Sequence, residues 1–333
     1  MSVKLSVRRW AARLTLVYIC VLMMGFAWYW FEVDDQVWST LYLYGPRWVA
    51  ALPMIVLVPI TAIARSYWVG CLLITVALGV AGPLLGGRVS WQSHFDPPAA
   101  HARYRVMTWN AGGARSAAEF RKSHEDIRPD LILIQECPAS FVRTDFPTGW
   151  NVIDAKNGLK IATVYPIKLD ESFGSERLPL PGAAARVTLK TPDGDWIVHN
   201  LHLATPRPGI QTAIDTKFAN CTDLRTSLTH QATVSAYMRD WVGTSAGLSV
   251  IAGDFNMPVE TRLYRRDWGQ FQNAYSQTGI GWGGTKVTSW HRVRIDHVLY
   301  RPPFHCRNCF VGPDLGSDHR PVIADLTLEE GAQ

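Results

Sequence analysis

The chain has 333 residues, 47% hydrophobic and 18% charged, with a formal net charge of +5. That balance excludes a disordered or fibrous chain and leaves enough material for one large domain or two modest ones. Residues 1–100 hold 7 of the 33 Lys and Arg and 4 of the 28 Asp and Glu, leaving 26 against 24 for the rest. A net of +2 over residues 101–333 is a weak lure for the long phosphate track of a nucleic acid.

Three N-terminal stretches carry no charge: Leu14 to Phe31, Trp48 to Ala64 and Ser66 to Gly87. Each has roughly the 17–25 residues that cross about 30 Å of hydrocarbon as a helix. Trp28, Tyr29, Trp30, Trp48, Tyr67 and Trp68 lie at their ends, where amphipathic rings favour the headgroup layer. The reading is a transmembrane region over residues 1–90, with helices at about 14–31, 48–64 and 67–86. A cleavable signal would explain the first stretch alone. Lys4, Arg8, Arg9 and Arg13 precede the first helix and Arg65 sits between the second and third. The loop after the first helix holds Glu32, Asp34 and Asp35 with only Arg47. Basic flanks stay cytoplasmic, so the N-terminus is expected inside and everything after residue 90 outside. Pro53 and Pro59 are the weak point of the second helix: a re-entrant hairpin there would invert the topology.

Residues 91–103, with "SHFDPPAAHAR", read as a linker. Of six cysteines, Cys20 and Cys71 fall in the apolar stretches, while Cys137, Cys221, Cys306 and Cys309 fall in the remainder. Cys306-Arg-Asn-Cys309 has no second ligand pair, which favours a disulfide or two free thiols over zinc.

Residues 104–330 alternate strands and helices. "YRVMTWNAGG" starts as a strand with Val106 and Thr108 on one face, and "AAEFRKSHEDIRP" is helical up to Pro129. "DLILIQECP" is the short apolar run of a strand buried on both faces. "AARVTLKTPDGDWIVHNLHL" is a hairpin around a Pro-Asp-Gly turn. Residues 223–242 form an amphipathic helix, with Leu224, Leu228, Ala232, Ser235 and Tyr237 as a loose stripe. "LSVIAGDFN", "RIDHVLY" and "RPVIADLTL" are three further strands.

Polar groups abut these strands: Asn110, Gln135-Glu136, His202, Asp254 with Asn256, Asp296-His297 and Asp318-His319. Singly, each has a bland account. Asn110 and Asn256 suit turn caps, Asp296 a solvated edge and His202 a sheet rim. Together, at the ends of separate strands, they are the pattern by which a rigid scaffold aims side chains into one cleft.

The ordered set "TWN", "QE", "HL", "GDFN", "RIDH" and "SDHRPV" resembles the endonuclease/exonuclease/phosphatase superfamily over about residues 104–328. With its apolar N-terminus, the chain looks like a bacterial, membrane-anchored branch of it. The resemblance implies an α/β fold, a four-layer sandwich of two packed mixed β-sheets flanked by helices. It also implies Glu136 as principal metal ligand with Asn110 and Asp318 beside it. Asp254 would orient or deprotonate the attacking water and Asn256 would hold it or a phosphate oxygen. His202 would contact the phosphate or leaving group, and His319 would pair with Asp296. Two departures concern the cleft walls: "IATVYPI" lacks the Ser-Arg of the family's Ser-Arg-x-Pro segment, and "GGTKVTSW" alters the Thr-Trp spacing.

The residue types fit that chemistry. A phosphodiester repels nucleophiles until its charge is neutralised; carboxylates and an amide oxygen suit Mg2+ or Mn2+. Histidinium and amide donors suit the developing charge. Whether Asp254 or His319 is the base stays open. The expectation is a divalent-metal-dependent phosphoester hydrolase at the bacterial inner membrane, facing the periplasm. Its substrate is a lipid headgroup, a small-molecule diester or, in the nuclease alternative, DNA or RNA. An inactive tethered binding protein is the rival class, and retention of every catalytic residue type weighs against it.

Overall fold

A computed structural model describes residues 2–30, 36–90, 104–174, 176–177, 181–245 and 247–328; the expected linker at 91–103 lies outside them. The chain divides into two compact units, residues 1–88 and 89–333.

In the first unit, α1 (Ser2–Trp30), α2 (Gln36–Tyr44), α3 (Leu52–Ile63) and α4 (Tyr67–Leu85) are built from Leu, Val, Ala and aromatic residues. Ile19, Leu57 and Leu73 form one small packed cluster and Leu22, Val80 and Leu84 another. Among the described residues only one helix, Ser6–Trp28, is both long and apolar enough to cross a membrane, where the sequence suggested three. The second stretch is broken. α2 meets the 3-10 turn Arg47–Ala51 and α3 at a 90° bend after Gly45 and Pro46. The 12 residues of α3 rise only about 18 Å, and Pro59 removes one of its internal hydrogen bonds. The third is apolar over the shorter run Tyr67–Val80, and Gly86 ends α4 in the left-handed conformation.

The second unit is an α/β sandwich. Its strands are β1 (Tyr104–Asn110), β2 (Leu131–Gln135), β3 (Asn151–Asp154), β4 (Lys160–Thr163), β5 (Ile167–Phe173) and β6 (Ala183–Thr191). β7 (Gly194–His202), β8 (Leu248–Asp254), β9 (Gln272–Asn273), β10 (Asp296–Tyr300), β11 (Phe304–Val311) and β12 (Val322–Leu328) follow. One sheet runs β11-β12-β1-β2-β4-β3 and the other β9-β10-β8-β7-β6-β5. Each holds a single parallel pair, β1 with β2 and β7 with β8. Parallel neighbours need a crossover. Helix α5 (Ala118–Ile127) supplies the first; α6 (Arg207–Asp215) and α7 (Thr222–Gly243) supply the second.

Residues of alternating position sort into layers. Val106, Leu131, Leu133 and Ile161 meet Val187, Trp196, Val198 and Val250 between the sheets. Met107, Trp109 and Ile132 face outward onto Phe120 of α5, and Leu201 and Ile251 onto Val234 and Met238 of α7. These are the two packed mixed sheets flanked by helices that the motifs implied. Strands β3, β4, β5, β9 and β11 carry no signal that the sequence reading used. β3, β4 and β9 have four residues or fewer, and β5 and β11 are edge strands where alternation is diluted by exposed positions.

Candidate active site

The two parallel pairs bring their carboxyl ends to the same edge. Asn110 ends β1 opposite Gln135, and His202 ends β7 opposite Asp254 at the end of β8. Asp254 in turn pairs with Asp296, the first residue of β10. Three backbone features aim the side chains. Gly253 has φ +150°, and a Cβ there would lie 1.9 Å from the Leu201 carbonyl oxygen, so glycine lets β7 close on β8 beneath Asp254. Glu136 and Asn256 both adopt positive φ, 48° and 51°, which L-residues adopt at some cost and which turns each side chain off its strand.

The side chains form a connected chain of contacts. Asn110 Nδ2 donates to Glu136 Oε1 at 3.0 Å and to Asp254 Oδ2 at 2.9 Å, while its Oδ1 accepts from the Gly112 N–H at 2.8 Å. His202 Nε2 lies 3.4 Å from Glu136 Oε1 and 3.9 Å from Asp254 Oδ2. Asp254 Oδ1 accepts the Asn256 N–H at 2.8 Å. His319 Nδ1 lies 2.9 and 3.1 Å from the two oxygens of Asp296, and its Nε2 is 3.8 Å from Asp254 Oδ2. The Asn256 side-chain amide donates to the Leu203 carbonyl at 2.8 Å, and so braces the loop after β7. Asp318 lies at the rim, half exposed, 3.9 Å from His319 Nε2 and in contact with the Lys286 ammonium. All eight expected residues therefore lie around one cleft.

Burial sets the protonation. Asp254 is 1% exposed; desolvation and the neighbouring Asp296 push its carboxyl above the usual range. Burial by itself would lower His319, yet Asp296 and Asp254 outweigh it and raise the imidazole to about 9. His319 is thus an imidazolium at neutral pH. His297, its counterpart in "RIDH", is different: its Nε2 contacts the Met257 carbonyl at 2.9 Å and burial lowers it to about 4. That histidine packs the core.

Several supporting groups escaped the sequence reading. Ser317 Oγ lies 2.9 and 2.8 Å from the Asn110 and Gly112 carbonyls and accepts the His319 N–H at 3.1 Å. Thr285 Oγ1 accepts the N–H groups of Ile295 and Asp296, both at 3.2 Å, which fixes the start of β10. Below the cleft, Gln135 Nε2 donates to Asn200 Oδ1 at 2.6 Å, a polar bridge between the sheets. Lys286 was hidden in the altered "GGTKVTSW" segment, which is a hairpin pairing Lys286–Val287 with Arg292–Val293. None of these has a residue type that announces its role.

The donor set suits a divalent cation. The four carboxylates Glu136, Asp254, Asp296 and Asp318 gather with one ammonium, that of Lys286, and two imidazoles, His202 and His319. Glu136 is half exposed, and a Cβ on Gly112 would come within 2.4 Å of its Oε2, so the glycine keeps that carboxylate's surroundings open. Asn110 Oδ1 accepts one hydrogen bond and keeps a second lone pair. Donor atoms of Asp254, Asp296 and His319 also lie within 4.8 Å of one another, but both Asp296 oxygens are committed to His319 Nδ1. That trio is suited to holding a proton.

Residues 107–319 match the Endonuclease/Exonuclease/phosphatase family. No curated protein matches the chain. Among solved structures, an endonuclease/exonuclease/phosphatase family protein from Bacteroides thetaiotaomicron is similar, with 17% identity, TM-score 0.51, and 70% of this chain and 98% of that chain covered. TDP2 from D. rerio, complexed with a single-strand DNA product, is similar at 13% identity and TM-score 0.50, over 68% of this chain and 99% of that one. The chain belongs to the endonuclease/exonuclease/phosphatase family and is a phosphoester hydrolase of that type.

Proposed function

We propose that this family member is a membrane-anchored, divalent-cation-dependent phosphodiesterase in which Asp254 holds the attacking water and His319 meets the developing charge. The observation that carries this reading is the buried Asp296–His319–Asp254 arrangement, with an imidazolium at the edge of a cluster of carboxylates. Glu136, Asp318 and the Asn110 amide oxygen would hold Mg2+ or Mn2+, which when bound polarises a phosphoryl oxygen. Asp254 is more basic than a surface aspartate, so it is suited to accept a proton as well as to orient water. Its Oδ1 is fixed by the Asn256 N–H and its Oδ2 by Asn110, so the carboxylate cannot swing away. Asp296 accepts the His319 Nδ1–H, which fixes the orientation of the ring and leaves Nε2–H to donate to phosphate or leaving oxygen. His202 and Asn256 border the same position.

A diester of a lipid headgroup or small molecule fits better than a long nucleic acid, because residues 101–333 carry a net charge of only +2. Tethering favours a substrate at the bilayer. In the N-terminal unit Ile63, Trp68 and Leu78 are 81%, 88% and 73% exposed, an apolar surface suited to hydrocarbon. We assign the basic N-terminal flank and Arg65 to the cytoplasmic side, membrane-embedded helices to residues 1–90, and the catalytic unit, residues 104–330, to the periplasm.

The test is hydrolysis of a chromogenic diester, phospholipids, DNA and RNA by the full chain in detergent, with and without EDTA, beside Asp254→Ala and His319→Ala. Cation-dependent turnover of the diester, lost in both variants, is expected. Turnover indifferent to EDTA, or equal in all three proteins, overturns the assignment. A periplasm-active reporter fused after residue 95 should be active; activity only of a cytoplasmic reporter reverses the orientation.

A further inference from the structure

Strand β11 carries two thiols that the phosphoesterase reading leaves idle. Cys306 and Cys309 are three positions apart, and on a regular strand residues so spaced point to opposite faces. Here they do not. Cys306 faces Leu326 of β12, Asn308 faces Asp325 and Cys309 faces Ala324, so residues 306–308 span two partners and one residue is extra. This β-bulge turns Cys309 back to the side of Cys306. Both are buried in the core between the sheets, in the cluster that contains Leu326 and Ala324. The two thiols are hydrogen-bond partners, and Cys306 Sγ also lies 3.3 Å from the Asn308 carbonyl across the bulge. Thr278 Oγ1, on helix α8 (Ala274–Thr278), contacts Cys306 Sγ at 3.4 Å. No metal-ligating side chain is among these neighbours. Cys309, Asn308 and Arg307 line a cavity of about 720 Å³ together with Trp282, Gly284 and Arg292, so the pair lies one residue beneath an open surface on the Cys309 side.

We propose that Cys306 and Cys309 are a modification site: a short-range disulfide, closed by exchange with a disulfide-bearing oxidant, that locks the bulge of the edge strand β11. One sulfur of the oxidant bonds to Cys309, releasing a first thiol. Cys306, deprotonated, then attacks the Cys309 sulfur and expels the second. Two protein thiols are oxidised and one oxidant disulfide is reduced to two thiols, so atoms and electrons balance. Burial and the Cys306 contact hold the Cys309 thiol well above its ordinary range, which makes closure slow and the pair structural rather than a fast sensor. β11 is an outer strand of its sheet, and a fixed bulge is one way such an edge is kept from pairing with another chain. The inference does not depend on the phosphodiesterase reading.

The experiment incubates the folded, full-length protein in detergent with oxidised glutathione, then blocks remaining thiols under denaturing conditions and maps them by mass spectrometry. One bond linking Cys306 to Cys309 is expected, with Cys137 and Cys221 still alkylated. A four-residue loop corresponds to about a twentyfold gain in the folding equilibrium, read as a Tm rise of roughly 5 °C that dithiothreitol reverses. Three results overturn the proposal. These are recovery of Cys306 and Cys309 fully alkylated, retention of glutathione on Cys309 without closure, and formation of the bond only when urea is present during oxidation.

Discussion

The two units break the same rule in opposite directions. In the N-terminal unit large apolar side chains lie outside: Val17, Met24, Ile55 and Trp68 are all more than half exposed. In the catalytic unit charged groups lie inside, with Asp254, Asp296 and His319 almost completely buried. A water-soluble protein minimises both arrangements, so each marks a place where something other than water is the intended neighbour. On the proposed reading that neighbour is hydrocarbon for the first, and a cation and a phosphoryl group for the second. The difference teaches that stability and function separate differently in the two units. Apolar exposure in α1 and α3 is tolerated only with its solvent present, whereas the buried carboxylates are tolerated despite repelling one another.

The largest effect that sharpens this contrast comes from Asp254→Asn. It removes a buried negative charge beside Asp296 and keeps the shape, so the Tm of the folded protein should hold or rise. Turnover should fall by about a thousandfold or more, because the water loses its acceptor. Paired calorimetry and diester hydrolysis check both halves. A large drop in Tm with activity retained would mean that the carboxylate serves the fold. In the other unit the counterpart is Val21→Lys, placed on the exposed face of α1. A cation at the centre of a spanning helix costs about 3 kcal/mol of insertion free energy. The protein should shift from the carbonate-resistant membrane fraction toward the soluble one, and unchanged partition would sink the anchoring role of α1.

Between these extremes lies the polar bridge beneath the cleft. Asn200 accepts from Gln135 Nε2 and donates to the Ile134 and Lys160 carbonyls at 3.0 and 3.3 Å. Asn200→Ala removes three hydrogen bonds from the core, although Gln135 Nε2 keeps Thr108 Oγ1 and the Leu133 carbonyl, at a cost of about 3 kcal/mol, so Tm should drop by roughly 6–12 °C. Turnover per folded molecule should change far less than in Asp254→Asn, since Asn200 does not border the cleft. A thousandfold loss without destabilisation would move Asn200 into the catalytic machinery.

That bridge also shows what the amino-acid sequence conveyed and what it did not. Glu136, Asp254, Asp296 and His319 were legible because each is a rare residue type at the boundary of an apolar run, and a strand end has one obvious place to aim. The layered fold was implied by the family resemblance, whereas the same runs gave the strands β1, β2, β8, β10 and β12, which are short, apolar and buried on both faces. Asn200 and Lys286 were not legible. Asn200 sits inside a strand, and its partner Gln135 lies 65 residues away on the other sheet, a pairing only the packed sheets define. Lys286 reaches Asp318 through a hairpin whose two-residue strands leave no periodic trace. The apolar count gave three helices of spanning length, but length in residues is not length in space. The 90° bend after Gly45-Pro46 sets the second stretch off from α2, and the stretch itself splits into a 3-10 turn and a 12-residue helix too short to cross singly.

The smallest effect is one of pH, and it tests whether buried polarity in the catalytic unit always serves chemistry. His199 lies in β7, wholly buried, with Nε2 3.0 Å from Ser245 Oγ. Burial, reinforced by Arg186, lowers it to about 3. An unfolded histidine titrates near 6.5, so as pH falls below that value the unfolded chain takes up a proton that the folded chain refuses. Stability from this residue is complete above pH 6.5 and declines as the pH drops toward about 3. The slope approaches about 1.4 kcal/mol per pH unit for one such histidine. His297, lowered to about 4 by burial and then by Arg294, adds a second contribution of the same sign. Urea titrations at pH 7, 6 and 5 on the wild type and His199→Gln should therefore diverge, with the variant losing less stability per pH unit while its turnover at pH 7 is retained. Parallel slopes would show that the ring is hydrated in the folded protein. The contrast between the units would then narrow, because polar groups of β7 would be meeting water as the surface does.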